Sequence, residues 1–208
     1  MKGCFISLEG SDGSGKSTVV EGLKKEAEKA GISIDFTREP GGTPLAEKIR
    51  QIILDKENRE MDPRCEALLY AAARAQHTKE RILPQLAKGT HVFTERYVLS
   101  SLAYQGYGRK LGREAVQSIN DFATQGLKPD LILFLDADPR KLLSRKDQQG
   151  ERDRLEEAGE EFFFRVNQGY EKELAQCENA VRINANQPPE KVIAEAWQTI
   201  KNLLEEKR

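Results

Sequence analysis

Residues Gly10-Ser11-Asp12-Gly13-Ser14-Gly15-Lys16-Ser17, followed by Thr18, have the spacing G-x-x-x-x-G-K-S. Each residue type there suits a bound polyphosphate such as ATP. Glycines let successive backbone N–H groups curl inward into an anion-binding nest. Lys16 brings a mobile positive charge to the β- and γ-phosphates, and Ser17 offers a hydroxyl to Mg²⁺. A helix starting there aims its positive end at the same phosphates.

A phosphate loop alone is shared by kinases, switches, motors and pumps. Arg38, Arg74 and Arg96 lie on three separate segments. Arginine forks match phosphate oxygens bidentately, so three converging on one point would hold a second phosphorylated molecule. A GTP-dependent switch would need Asn-Lys-x-Asp, and no Asn-Lys pair occurs in the chain. A kinase of another deoxynucleotide or deoxynucleoside stays open at this point.

Alternating elements must position these residues. Short apolar runs predict strands at Cys4–Glu9, Ile32–Thr37, His91–Glu95, Leu131–Asp136 and Val181–Ile183. Helical spacing predicts helices near 16–30, 44–55, 64–87, 97–105, 112–125, 160–176 and 189–206, the first stopping at Gly31. This alternation predicts an α/β fold: three layers, a five-stranded parallel sheet flanked by helices, the P-loop NTPase fold. Right-handed crossovers put every strand's C-terminal end on one edge, where ligands collect. The residues just after the strands are the loop at 10–18, Arg38-Glu39-Pro40-Gly41-Gly42-Thr43, Glu95-Arg96-Tyr97 and Asp136-Ala137-Asp138-Pro139.

The bulk numbers narrow the class. The chain has 208 residues, which favours one domain over 1–208. Lys and Arg number 33 and Asp and Glu 34, a net charge of −1, which argues against a broad nucleic-acid surface. Cys4, Cys65 and Cys177 show no metal-ligand spacing, and their odd count, with no signal peptide, fits the cytoplasm. No apolar run approaches the roughly 18 residues that span a membrane.

The segments REPGGTP (38–44), YAAARAQH (70–77) and ERYVLSSLAYQG (95–106), with the phosphate loop, resemble the thymidylate kinase family. So do Asp153-Arg154-Leu155-Glu156 and Gly169-Tyr170, and the likeness runs through the whole chain. The resemblance implies Mg²⁺-dependent transfer of a phosphoryl group from ATP to dTMP. It implies that Arg96 and Arg38 hold the acceptor phosphate, with Pro40 in the same binding segment. Tyr70 would stack on thymine, Arg74 would read a thymine carbonyl, and Ser101 and Gln105 would complete the base contacts. Tyr104 would pack under the sugar against a 2′-OH, and Asp12 would meet the 3′-OH. The family most often has Asp where this chain has Glu95; the charge is retained, and Glu95 with Ser17 would face the metal. The loop carries Gly13 and Ser14 and no arginine, so the resemblance places the catalytic cation in a lid near 144–155, on Arg145, Arg152 or Arg154 beside Lys146. A phosphate acceptor is already ionised, so no strong base is expected, and His77 and His91 are read as packing or surface residues. The family is usually a homodimer, which the apolar content of 64–87 and 97–125 would allow. The segment Asn184–Gln187 is a candidate edge for adenine.

Overall fold

The computed structural model describes residues 3–138 and 159–207. Five parallel strands form one sheet: β1 (Phe5–Glu9), β2 (Ile34–Arg38), β3 (His91–Glu95), β4 (Leu131–Asp136) and β5 (Ala180–Asn184), in the order β2-β3-β1-β4-β5. Helices cover both faces, so the inner strands bury residues on both sides and read as continuous apolar runs. In β4 the period of two is visible: Leu131, Leu133 and Leu135 join one core, and Ile132 and Phe134 join the other.

The first core packs the sheet against α1 (Lys16–Ala30) and the C-terminal helix α8 (Pro189–Glu206), through Leu23, Val19, Trp197 and Ile200. On the other face lie α2 (Pro44–Leu54), α3 (Pro63–His77), α4 (Leu83–Ala87), α5 (Val98–Ser101), α6 (Arg113–Thr124) and α7 (Glu160–Leu174). Helix α3 packs against both α2 and α6.

Most element boundaries fall where the sequence puts them, with three instructive differences. Strand β2 starts at Ile34 rather than Ile32. Gly31 takes a left-handed conformation at the end of α1 and donates to Glu28 O, and Ile32 donates to Ala27 O. That paired capping motif uses Ile32 to finish the helix. The predicted helix at 64–87 continues through a π-helical turn at Thr78–Ile82. The predicted helix at 97–105 likewise becomes α5 followed by a π-helical segment, Leu102–Gly108. Such widened turns recur at functional sites because they re-aim side chains.

The last of these segments is held by close approach of α7. A Cβ on Gly169 would lie 2.8 Å from Tyr107 Cδ2 and 2.9 Å from its Cβ. This explains the Gly169-Tyr170 pair: glycine admits the π segment, and Tyr170 fills the core beside it.

Candidate active site

Strand β1 delivers the chain directly into the phosphate loop. Gly10, Gly13 and Gly15 have φ of 148°, 81° and 91°, values L side chains avoid. Gly15 caps α1, whose first residue is Lys16. Lys16 Nζ donates to the carbonyls of Gly10 (3.1 Å) and Ser11 (3.0 Å) and lies 3.9 Å from Asp12. Burial, then the neighbouring Arg96 charge, lower its pKa to about 8, against the pull of Asp12, Glu95 and Glu9. An arriving polyphosphate would raise it again. Ser11 Oγ donates to Asn167 Oδ1 on α7 at 2.8 Å, tying the loop to that helix.

Strand β3 is followed directly by Arg96, a non-glycine residue at φ 67°. This sparsely populated conformation is held by Arg96 N–H to Leu8 O (2.8 Å) and Thr94 Oγ1 to Arg96 O (3.1 Å). Its guanidinium donates to Gly10 O (3.2 Å), Ser100 Oγ (3.0 Å) and Asp12, and lies 5.1 Å from the Tyr104 ring centroid. Tyr104 in turn donates its hydroxyl to Asp12 Oδ2 at 2.7 Å. Beneath them Glu9 is fully buried and accepts from Tyr97 N–H (2.8 Å) and Ser100 Oγ. Burial pushes its carboxyl above the usual range, against those hydrogen bonds and the Arg96 charge.

Arg74 is 2 % exposed and forms part of a buried wall. Its Nε donates to Glu39 at 2.6 Å, Nη1 to Ser101 Oγ at 2.7 Å and to Asn120 Oδ1, and Nη2 to Tyr97 O at 3.0 Å. His77 is fully buried, its ring nitrogens 2.9 Å from Glu39 and 2.8 Å from Thr37 Oγ1. Burial alone would raise the Glu39 carboxyl; Arg74 and His77 outweigh it and hold it below its ordinary value. His77 is therefore a wall residue with both nitrogens engaged. His91 Nδ1 accepts from Cys4 N–H at the far end of β3.

These parts open on one cavity of about 480 Å³. Asp12, Gly13, Gly15, Lys16, Ser17 and Thr18 line it from the loop, while Gly10, Ser11 and Ser14 are buried behind. Arg38, Pro40, Tyr70, Arg74, Arg96, Ser101, Tyr104 and Gln105 line it from the other side. All three arginines line it, in different states. Arg38 is half-exposed and donates to Pro40 O (2.9 Å) and Glu47 (3.0 Å), whereas Arg74 is locked in place. Ser17 and Glu95 share the cavity edge, giving the hard oxygens that suit Mg²⁺, an ion that keeps several waters and leans on substrate phosphates. Among the described residues no preformed cluster of three acidic, histidine or cysteine ligands exists.

Sequence reasoning missed Glu39, Arg50, Leu54 and Ser100, which also line the cavity. Arg50 and Leu54 stand four residues apart on α2, a helical spacing that begins directly after REPGGT and was the available signal. Asn184–Gln187 does not line the cavity; Asn186 Oδ1 accepts from Asp138 N–H at 3.2 Å instead. Arg145, Arg152, Arg154 and the lid near 144–155 lie outside the described residues.

Comparison with known proteins agrees with this geometry. The sequence profile of the family described as Thymidylate kinase matches residues 8–196. The chain is 47% identical over 206 residues to a thymidylate kinase of Halalkalibacterium halodurans, covering 98% of each chain. It is 50% identical over 213 residues to one of Lactobacillus helveticus, covering 99% of each. The crystal structure of thymidylate kinase from Ehrlichia chaffeensis superposes with a TM-score of 0.77 at 26% identity, covering 97% of this chain and 99% of that one. With a loop, a strained arginine and a buried arginine wall facing one cavity, and relatives matching along its length, the chain belongs to the thymidylate kinase family.

Proposed function

We propose that this chain phosphorylates dTMP to dTDP with ATP, its family's reaction, through the following division of labour. The loop residues 10–18 hold the ATP phosphates, with Lys16 against the β- and γ-phosphates. Arg96 and Arg38 hold the acceptor phosphate beside Pro40. Tyr70 stacks on thymine while Arg74, Ser101 and Gln105 meet its polar edge. Asp12 accepts from the 3′-OH, and the Tyr104 ring occupies the space a 2′-OH would need.

An ionised oxygen of the acceptor phosphate attacks the γ-phosphorus as the bond to the β–γ bridging oxygen breaks, leaving ADP. No proton has to be removed first, so the site's work is alignment and charge neutralisation. Mg²⁺, held near Ser17 and Glu95, would neutralise charge on the β- and γ-phosphates. Lys16 and Arg96 supply fixed positive charge from this chain. The family resemblance points to Arg145, Arg152 or Arg154 for the remaining cation, with Arg154 first because it sits in the Asp-Arg-Leu-Glu segment.

One observation carries this reading: a single cavity joins Lys16 to Arg38, Arg74 and Arg96, so two phosphorylated groups can meet there. A coupled ADP-release assay over a panel of nucleosides and monophosphates tests it, with dTMP expected to turn over fastest. Faster turnover of an unphosphorylated nucleoside or a purine monophosphate would sink it.

A homodimer accompanies this reading. Leu45 and Ile52 on α2, Leu68 on α3 and Phe122 on α6 are large apolar side chains left exposed, Phe122 at 88 %, on helices that pack side by side. Light scattering should return twice the 23.5 kDa chain mass. The cytoplasm suits three cysteines that form no disulfide, and among the described residues no helix is long and apolar enough to cross a membrane.

A further inference from the structure

The base-facing end of the cavity depends on an acid that does not line it. Glu66, Tyr70 and Arg74 stand at i, i+4 and i+8 on α3, hence on one helix face. Glu66 is 0 % exposed. Its Oε1 accepts from the Gln105 side-chain amide at 2.9 Å and from Arg109 Nε at 3.3 Å, and its Oε2 accepts from Arg109 Nη2 at 3.0 Å. Arg109 is fixed in turn, its guanidinium 4.7 Å from the Phe162 ring centroid and its backbone N–H bonded to Tyr104 O at the end of the π segment.

A carboxylate paired to a guanidinium can only accept hydrogen bonds, and a glutamine amide carries two donors on one end and an acceptor on the other. Gln105 must therefore turn its NH₂ to Glu66. The reverse orientation would press two acceptors together in a buried place, leaving both unsatisfied. With the nitrogen committed, the carbonyl Oε1 is the group Gln105 offers to the cavity it lines. A carbonyl there accepts from a pyrimidine that carries hydrogen on N3, as thymine and uracil do. It meets an acceptor, N3 of cytosine, unfavourably.

We propose that Glu66 is a positioning residue for base selection: it fixes the direction of the Gln105 amide and so makes the site prefer a pyrimidine imide over cytosine. This rests on the placement of Gln105 against the base. Glu66 does not line the cavity, so its removal should act on the acceptor's KM and leave kcat and the KM for ATP unchanged.

The experiment measures kcat/KM for dTMP and dCMP in the full chain and in Gln105→Ala, Glu66→Gln and the double variant Glu66→Gln/Arg109→Met. A glutamine at 66 can donate or accept, which frees the Gln105 amide to turn. The double variant removes the guanidinium that would otherwise lose its buried partner, and keeps the test available if the single variant folds poorly. The dTMP-over-dCMP ratio should fall by about tenfold in the variants at 66, through KM for dTMP, with kcat within about twofold of the parent's. A ratio that falls in Gln105→Ala but holds in both variants at 66 overturns the role of Glu66 alone. A ratio untouched by Gln105→Ala overturns the base-reading assignment of Gln105 and the inference with it. Equal losses for dTMP and dCMP in the variants at 66 would show Glu66 to be structural only and overturn the inference.

Discussion

The two halves of the cavity are built by different means. The half we assign to the donor is nine consecutive residues, 10–18, whose contribution is mostly backbone geometry and one lysine. The acceptor half gathers side chains from the end of β2, from α3, from the end of β3 and from the π segment after α5. Its arginine wall is held by Glu39, Asn120 and Tyr97 O, so its chemistry and its packing are the same contacts. In the donor half, function and stability separate; in the acceptor half they are coupled. The following measurements would break or sharpen that contrast.

Glu39→Ala should have the largest effect. It leaves the Arg74 guanidinium and His77 buried without their carboxylate, and breaking a buried pair costs about 3–5 kcal/mol. Urea unfolding should show that loss together with a raised KM for dTMP. A variant as stable as the parent would show that the wall is not coupled to the fold.

Lys16→Ala should lose about 10²–10³ in kcat, on the order of 3–4 kcal/mol, with no loss of stability. The sign follows from the lysine's pKa, about 8 against an ordinary 10.5. A lysine whose folded pKa lies below its unfolded one binds fewer protons when folded, so its charge opposes folding at neutral pH. Lower stability in this variant would contradict the separation proposed for the donor half.

The same lysine predicts a pH effect confined to free enzyme. Above about pH 8, Lys16 loses its proton and its attraction for phosphate. Bound polyphosphate raises its pKa again. The kcat/KM for ATP should therefore decline by up to about tenfold per pH unit above that point, while kcat holds to higher pH. Profiles of both parameters from pH 6 to about 10 decide it; coincident declines would assign the titration elsewhere.

The smallest effect probes the seam between the halves, where Tyr104 bonds Asp12. Tyr104→Phe removes one hydrogen bond, about 1 kcal/mol, and keeps the ring. Preference for dTMP over its ribose analogue should survive in Phe and relax in Ala. Preference retained in Ala would move sugar selection away from this ring.

How much was legible follows the same division. The loop's motif, β3, β4 and the extent of α1 could be read from the chain because their determinants are near neighbours in sequence: glycines at fixed spacing, apolar runs, the Gly31 cap. Ile32 reads as strand by its side chain, yet its N–H completes the cap of α1. The helical period at 64–87 and 97–105 was visible, but a single widened turn leaves that period almost intact, so the π segments were not. The family resemblance supplied Arg74, Tyr104 and Gln105 as base- and sugar-side residues. It did not supply Glu39, which bonds Arg74 and His77, or Glu66, which bonds Gln105.

By itself, then, the sequence determined the phosphate loop, the strand–helix alternation that makes a parallel sheet, and the edge where ligands collect. These follow from residue types at short spacing, where local sterics and hydrophobic period act. Only the tertiary structure decided that Arg74 is locked into a wall while Arg38 stays half-exposed, that Arg96 is held at φ 67° between Asp12 and Ser100, and that the Gln105 amide donates to Glu66. Those states depend on which donors and acceptors burial leaves side by side. Such pairings join residues 84 positions apart in Arg96 and Asp12 and 92 apart in Tyr104 and Asp12, where no local pattern carries the information.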